Sequence, residues 1–353
     1  VKKLEGSLKG KDFTNADLRE VVFFCVQANG VSFRGADLRD ATFINSTFVG
    51  ADFTGAILTG ARAQNANFRE AQFHRAILVS TSFASDVDLS HANLSRAIAV
   101  DAIWSDAQLV RADLSGATLN YARLQRTDLT LANLDSASLV GATLKDAVLS
   151  TAYLFMANFS GASLWHAKMD CVVANGALFT DANMQEVDAT GGLFEHANLT
   201  GAILTKANFS DASLLDAQLD DVSLWGTNLT RAELSQTCLD PKYFEMLDEF
   251  VRECPSDGCG RVVYRTAVSM AVEDAVSIIT CEPGVTYEAP VASTALSLNH
   301  PGLYAASLSW MREHFPDEPL VKCYVRDGDW VLLPDGSIRC RKLYVLETVE
   351  AEK

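Results

Sequence analysis

The sequence predicts an all-β fold for its first two thirds, a four-sided β-helix of about 12 coils, followed by a capping helix and a smaller α+β domain. Three observations carry this. An apolar residue, usually Leu or Phe, falls on every fifth position from Leu8 to Phe83 and again from Leu89 to Leu239. Two residues before it stands a small one, mostly Ala. Volumes also balance at a spacing of 20: Ala63 lies between Phe43 and Phe83, while Ala28, Ala174 and Ala189 are followed 20 residues later by Phe48, Phe194 and Phe209.

The repeat is plainest from Ala112, which opens ADLSG ATLNY ARLQR TDLTL ANLDS. A period of five suits neither a helix nor a flat strand. On a short extended segment the first and third residues of a block share a face. If the chain then turns a corner, the next block can again point its first and third residues inward. Four such blocks close a square, and coils stack by strand-type hydrogen bonds about 4.8 Å apart. The spacing of 20 in the volume balance independently favours four blocks per coil.

These blocks resemble the pentapeptide-repeat family, whose signature is A(D/N)LXX, over residues 8–239. The resemblance implies a right-handed, quadrilateral β-helix, here a rod about 56 Å long. The beat slips once, with six residues from Phe83 to Leu89. One residue among 84–88 is expected to bulge at a corner, leaving both large residues inward and the rod continuous.

Asp240 and Pro241 form an N-cap and first-turn pair. Tyr243, Phe244, Leu247, Phe250 and Val251 follow at helical spacing, so 241–253 is expected to be an amphipathic helix over the open end of the rod. The expected domains are thus 1–239, the β-helix; 240–260, capping helix and linker; and 261–353, an α+β domain. Strands are expected in GRVVYRTAV, SIITCEPGVTYEA, LVKCYVRDGDWVLL and SIRCRKLYVLETVE, and a helix in LYAASLSWMREHF. The blocks YRTAV, EPGVTYEAP, HPGLYAASLSWM and IRCRKLYVLE resemble a small domain found in bacterial and phage proteins.

The net charge of −16 argues against a general binder of nucleic acid or anionic membrane and suits solubility or a basic partner. No apolar run reaches the roughly 18 residues of a membrane span, and the N-terminus lacks a secretory apolar core. Eight scattered cysteines read as reduced structural thiols, with a zinc site or disulfides as alternatives, and favour the cytoplasm or, if phage-encoded, a virion. No Ser-His-Asp set, P-loop or paired-carboxylate motif appears, so no catalytic residue, metal ligand or cofactor is assigned.

Function is therefore expected on the outward positions. One apolar set comprises Tyr153, Val173 and Leu193 on successive coils, with Phe155, Met156 and Leu215 beside them. A second comprises Ile57, Ile77 and Ile98, with Val79 and Val100. Both are expected interfaces, because exposed apolar stripes of a few hundred Å² usually meet something. The expected role is a non-catalytic scaffold in contact with a protein partner or with itself, as a homo-oligomer or part of a larger assembly, with a phage structural or accessory role as one version. Two alternatives stand beside it. Some members of the family imitate DNA on DNA gyrase, and residues 131–240 carry a net charge near −9. The tail is also distantly similar to ADP-ribosyltransferase cores, which would put Arg265 on NAD phosphates and His300 in the pocket. Against that, Glu347 sits in a terminal strand and no catalytic Glu motif is evident.

Overall fold

The computed structural model describes residues 2–83, 86–224 and 226–239, and beyond these residue 254 and segments 260–266, 268–270, 278–280, 286–288, 303–305, 311–313, 320–326, 330–332, 338–340 and 342–349. The chain divides into two compact units, Val1–Leu234 and Ser235–Lys353.

The first unit is a right-handed four-sided β-helix. Its sides are numbered here in chain order, starting with the one that carries Phe13. On side 1, parallel bridges link Asp12, Ser32, Asp52, Gln72, Asn93 and Asp113, then Asn133, Tyr153, Val173, Leu193, Ser213 and Glu233, a ladder twelve coils deep. Sides 2, 3 and 4 carry matching ladders through Ile57, Arg123 and Asp128. The third residue of each block fills the axis. Phe23, Phe33, Phe43, Phe48, Phe53, Phe68 and Phe73 are wholly buried, and rings one coil apart stack at 4.8–5.1 Å. Leucines take over this role in later coils. The first residue, usually Ala, is also buried, because it sits at the inner side of the corner where a larger group would meet the axis.

The polar positions have a local cause. Most corners are tight turns, in which the carbonyl of the central residue accepts the N–H of the next block's first residue, as Phe33 does from Ala36 at 3.0 Å. The fifth residue sits at positive φ, near 57 in Arg96 and 58 in Leu131, as a type II turn requires. The second residue, so often Asp or Asn, turns its side chain back on the corner. Asp12, Asp52, Asn67 and Asn158 each accept the N–H two residues on at 2.9 Å.

Named strands of the rod occur on side 3 and into its following corner: β1 (Lys3–Ser7), β2 (Val22–Gln27), β3 (Thr42–Ile44), β4 (Arg62–Gln64) and β5 (Ser82–Phe83), all parallel. Here the chain stays extended into the corner. Val26 N–H donates to the Ser46 hydroxyl of the next coil at 2.9 Å, and that hydroxyl donates to Ile44 C=O at 2.7 Å. The six-residue step falls at this corner. Phe83 and Leu89 are both fully buried, and the block pattern resumes at Val87, so the additional residue lies between Phe83 and Val87. Bridges across the step simply lengthen to 21 residues, as in Ile77 to Ile98 and Ser82 to Ile103. One coil later the same corner is tight, with Ala107 N–H donating to Trp104 C=O.

Outside, arginines bond the aspartates of their own block. Arg19 donates two bonds to Asp17 and Arg39 two to Asp37. The Arg19 hydrogen bond is the main reason the Asp17 carboxyl is held down at about 2. Its stabilisation is thus present above the ordinary aspartate range and is lost as pH falls through about 2. Carbon-detected NMR titration of Asp17 should inflect near pH 2, and Arg19→Gln should return it toward the ordinary aspartate value. An unchanged inflection would remove Arg19 as the cause.

In the second unit, β6 (Gly260–Thr266), β11 (Leu320–Arg326), β14 (Lys342–Val349) and β9 (Thr286–Glu288) form an antiparallel sheet in that order. A second antiparallel sheet runs β10 (Leu303–Ala305), β13 (Ile338–Cys340), β12 (Trp330–Leu332), and β7 (Val268–Met270) pairs with β8 (Ile278–Thr280). The segment expected to be a helix from Leu303 instead begins as β10, because its backbone pairs with β13; helical structure is confined to residues 311–313 among those described. The helix expected over 241–253 lies outside the described residues. Among the described residues no helix is long and apolar enough to cross a membrane.

Candidate functional site

The rod exposes a cluster of large apolar side chains along the corner between sides 1 and 2. Tyr153 and Phe155 are each 49% exposed and Met156 59%. Val173 sits one bridge above Tyr153 and Leu193 one above that; Leu193 is exposed, and Val173 and Leu215 are half-buried. Period-two geometry leaves the second residue of a block outward, and the fourth and fifth residues form the corner itself, so none of these can turn into the axis. Backbone bonds hold the cluster in place. Phe155 N–H donates to Asp135 Oδ1 at 2.9 Å, and its carbonyl accepts Ser136 N–H at 2.8 Å.

The structure adds Leu178, 39% exposed, which lies on side 2 just past the corner from Val173. Its signal in the sequence was present but unread: it is the second residue of the block after Val173's. Asn175 sits at that same corner. Its Nδ2 donates to Glu195 at 3.1 Å, and its Oδ1 is buried with no hydrogen-bond partner.

The second expected set behaves differently. Ile57, Ile77 and Ile98 do form one continuous column on side 2 across the six-residue step. Only Ile98 is exposed; Ile57, Ile77, Val79 and Val100 are half-buried. Their neighbours one coil above and below shield them, so this column offers less free apolar surface than the first. Trp165 lies on the corner between sides 3 and 4, where Lys145 caps its ring at 4.1 Å. Trp225 and His300 lie outside the described residues, while Arg265 falls in β6 opposite Val321 and Glu347 in β14 opposite Lys322.

Charge is sorted by side. From Ala112 to Gln236, sides 1 and 2 carry eight carboxylates: Asp113, Asp135, Glu195, Asp216 and Glu233 on side 1 and its corner, Asp181, Asp220 and Asp221 on side 2 and its corner. They carry no Lys or Arg. Sides 3 and 4 of the same coils hold all six bases, Arg123, Arg126, Lys145, Lys168, Lys206 and Arg231, against six acids. Some of these pair along the corners: Arg231 bonds Asp211 twice at 2.6 Å and Lys206 lies 3.9 Å from Glu186, while Arg126 bonds Asp106 of the coil below twice at 2.7 Å. The apolar cluster therefore sits on the acidic, base-free half of the surface.

Comparisons with known proteins bear on the rod alone. A family model described as pentapeptide repeats (9 copies) matches residues 28–72. One described as pentapeptide repeats (8 copies) matches residues 88–120, 112–150, 157–195, 193–226 and 208–240. Among solved structures, HetL, a pentapeptide repeat protein involved in heterocyst differentiation regulation from the cyanobacterium Nostoc, is 29% identical over 65% of this chain and 91% of its own, with a TM-score of 0.37. QnrB1, a plasmid-mediated fluoroquinolone resistance protein, is 20% identical over 65% of this chain and 98% of its own, with a TM-score of 0.28. A thylakoid-lumen pentapeptide repeat protein of Arabidopsis thaliana is 31% identical over 28% of this chain and 66% of its own, with a TM-score of 0.18. The comparison with curated proteins found no match.

Proposed function

The chain belongs to the pentapeptide-repeat family, and from that premise we propose that it is a non-catalytic interaction scaffold whose contact surface is the corner between sides 1 and 2 in coils eight to ten. The carrying observation is the cluster of Tyr153, Phe155, Met156 and Leu193, held outward on a backbone that cannot rotate them into the core. Together the exposed side chains offer a few hundred Å² of apolar surface, the scale at which a soluble protein meets a partner. Tyr, Phe and Met are also enriched at the centres of interfaces. The rod supplies rigidity: each coil is bonded to the next, so the groups are presented in fixed register and little order has to be imposed on binding.

This reading makes the rod a protein-binding element. It places the partner on neither nucleic acid nor a membrane, since the surface around the cluster is negative. Imitation of DNA is less well supported. The eight carboxylates of sides 1 and 2 spread over about 30 Å, where duplex DNA would carry about 17 charges. An apolar cluster also interrupts them.

A photo-crosslinking residue placed at Phe155 should form defined protein adducts in an extract of the native host, or with a second copy. The same probe at Trp165, exposed on the corner between sides 3 and 4, should not. Adduct formation at 155 no greater than at 165 would refute the assignment.

A further inference from the structure

The scaffold reading above leaves the partner's chemistry open, and the sorting of charge by side addresses it. We propose that the corner between sides 1 and 2 in coils eight to ten receives a protein segment with an apolar stripe flanked by lysine and arginine, a cationic amphipathic segment. This inference rests on the proposed contact surface and goes further by naming what fits it.

The argument is one of complementarity. The cluster's centre is apolar, and its rim is carboxylate: Asp135 below, Glu195 and Asp216 above, and Asp181 at the far end of side 2 from Leu178, on its corner with side 3. No Lys or Arg shares these two sides from Ala112 onward; the one basic side chain there is His196, whose Nδ1 lies 3.0 Å from Asp216 Oδ2, so the other carboxylates meet no basic side chain of their own surface. Such a field steers cationic partners and disfavours anionic ones. The bases of the same coils are elsewhere, balanced by acids on sides 3 and 4. An acidic rim alone would attract any cation; the large side chains at its centre ask for an apolar stripe as well.

A second copy of the rod does not supply this chemistry. On sides 1 and 2 from Lys11 to Asp101, six bases stand against seven acids. Several of those bases are already taken, Arg19 and Arg39 by neighbouring aspartates and Arg34 by Asp52. On sides 3 and 4 from Gly6 to Arg111 there are four of each. The largest excess of bases on any one side in either half of the rod is two, on side 1 from Lys11 to Arg96 and on side 3 from Arg123 to Lys206, too few to face the eight carboxylates.

The test uses the full chain and fluorescently labelled synthetic peptides, followed by anisotropy. The probe is a leucine–lysine peptide with leucines on one helical face; the controls are oligolysine of equal charge and a leucine–glutamate peptide of equal length. The leucine–lysine peptide should bind at least tenfold more tightly than either control and weaken as salt rises. Phe155→Ser should weaken it tenfold or more. Asp181→Asn with Asp216→Asn should weaken it and flatten the salt dependence, and Trp165→Ser should leave it unchanged. Equal binding of oligolysine, or equal loss in Trp165→Ser, would overturn the proposal. Light scattering of the same preparations separates it from the broader reading. A dimer that dissociates in Phe155→Ser would leave the contact surface standing and show that a second copy covers it, which sinks the cationic partner. Unchanged peptide binding in Phe155→Ser, together with no adducts at position 155, would sink both.

Discussion

Trp104→Ala is expected to destabilise the rod by about 3–5 kcal/mol, the range for removing a fully buried aromatic side chain. Trp104 occupies a central position on side 3, fully buried, one coil above Phe83, whose ring lies nearly parallel to it with centroids 6.3 Å apart. The indole is also hydrogen-bonded. Its Nε1–H donates to the Thr81 hydroxyl at 3.0 Å, and that hydroxyl donates to Leu78 C=O at 2.8 Å. Thr127, one block position above, donates its hydroxyl to Trp104 C=O at 2.9 Å. Two first-position threonines thus replace the usual alanines where the axis holds an indole. Trp104→Phe should cost less, about 1–2 kcal/mol, because it keeps most of the volume and leaves Thr81 with one partner. Urea unfolding followed by far-UV circular dichroism measures both. Each coil contacts only its neighbours, so a cavity in the fifth coil should also separate unfolding of the coils on either side into distinguishable steps. A cost for Trp104→Ala below about 1 kcal/mol would mean that the coils collapse onto the gap and that the indole is not a keystone there.

That site shows how far the sequence could be read. The five-residue beat, its inward residues and the continuity of the isoleucine column through the six-residue step follow from periodicity, because side-chain direction along an extended block is fixed by counting. The bond from Trp104 to Thr81 does not, since it spans 23 residues and depends on where the additional residue is placed. The extended corners at Val26 and Ser46 were likewise hidden: a serine hydroxyl substitutes for a backbone turn bond, and composition does not announce it. The apolar set around Tyr153 was legible residue by residue, yet Leu178 was missed because its block looks ordinary until it is placed beside Val173. The sorting of charge by side was invisible to a running sum. Neighbouring blocks point in four directions, so a net of about −9 over residues 131–240 averages an acidic half-surface with a neutral one. In the tail, Leu303–Ala305 has the apolar spacing of a helix but pairs with Ile338–Cys340, a partner that local spacing cannot foresee.

Gly192→Val is expected to cost about 2–3 kcal/mol by overpacking, and Gly192→Ala about 1–2 kcal/mol. Gly192 is the first residue of its block, where alanine is the rule. A Cβ there would stand 2.6 Å from Phe194 Cε2, 3.1 Å from Ala189 C=O and 3.3 Å from Val172 Cγ1. Each contact has a cause in the neighbouring volumes. Val172, one coil below in the same column, is larger than the usual alanine; Ala174 and Ala189 are small central residues, and the Phe194 ring uses the room they leave. The backbone conformation of Gly192 is not the obstacle, so the cost should be relieved by removing volume rather than by any change of turn. Phe194→Leu in the Gly192→Ala background should therefore recover about 1 kcal/mol relative to the sum of the single changes, a coupling that a double-mutant cycle in urea would measure. Val172→Ala should recover less, since it relieves only the longest of the three contacts. Additive costs at 192 and 194 would show that the ring moves aside freely. Leu193 lies between these two residues on the exposed surface, so the same variants report on the contact site. If register at that coil is what presents Leu193, Gly192→Val should weaken leucine–lysine peptide binding and Phe194→Leu should partly restore it, with neither change touching an exposed atom of the cluster.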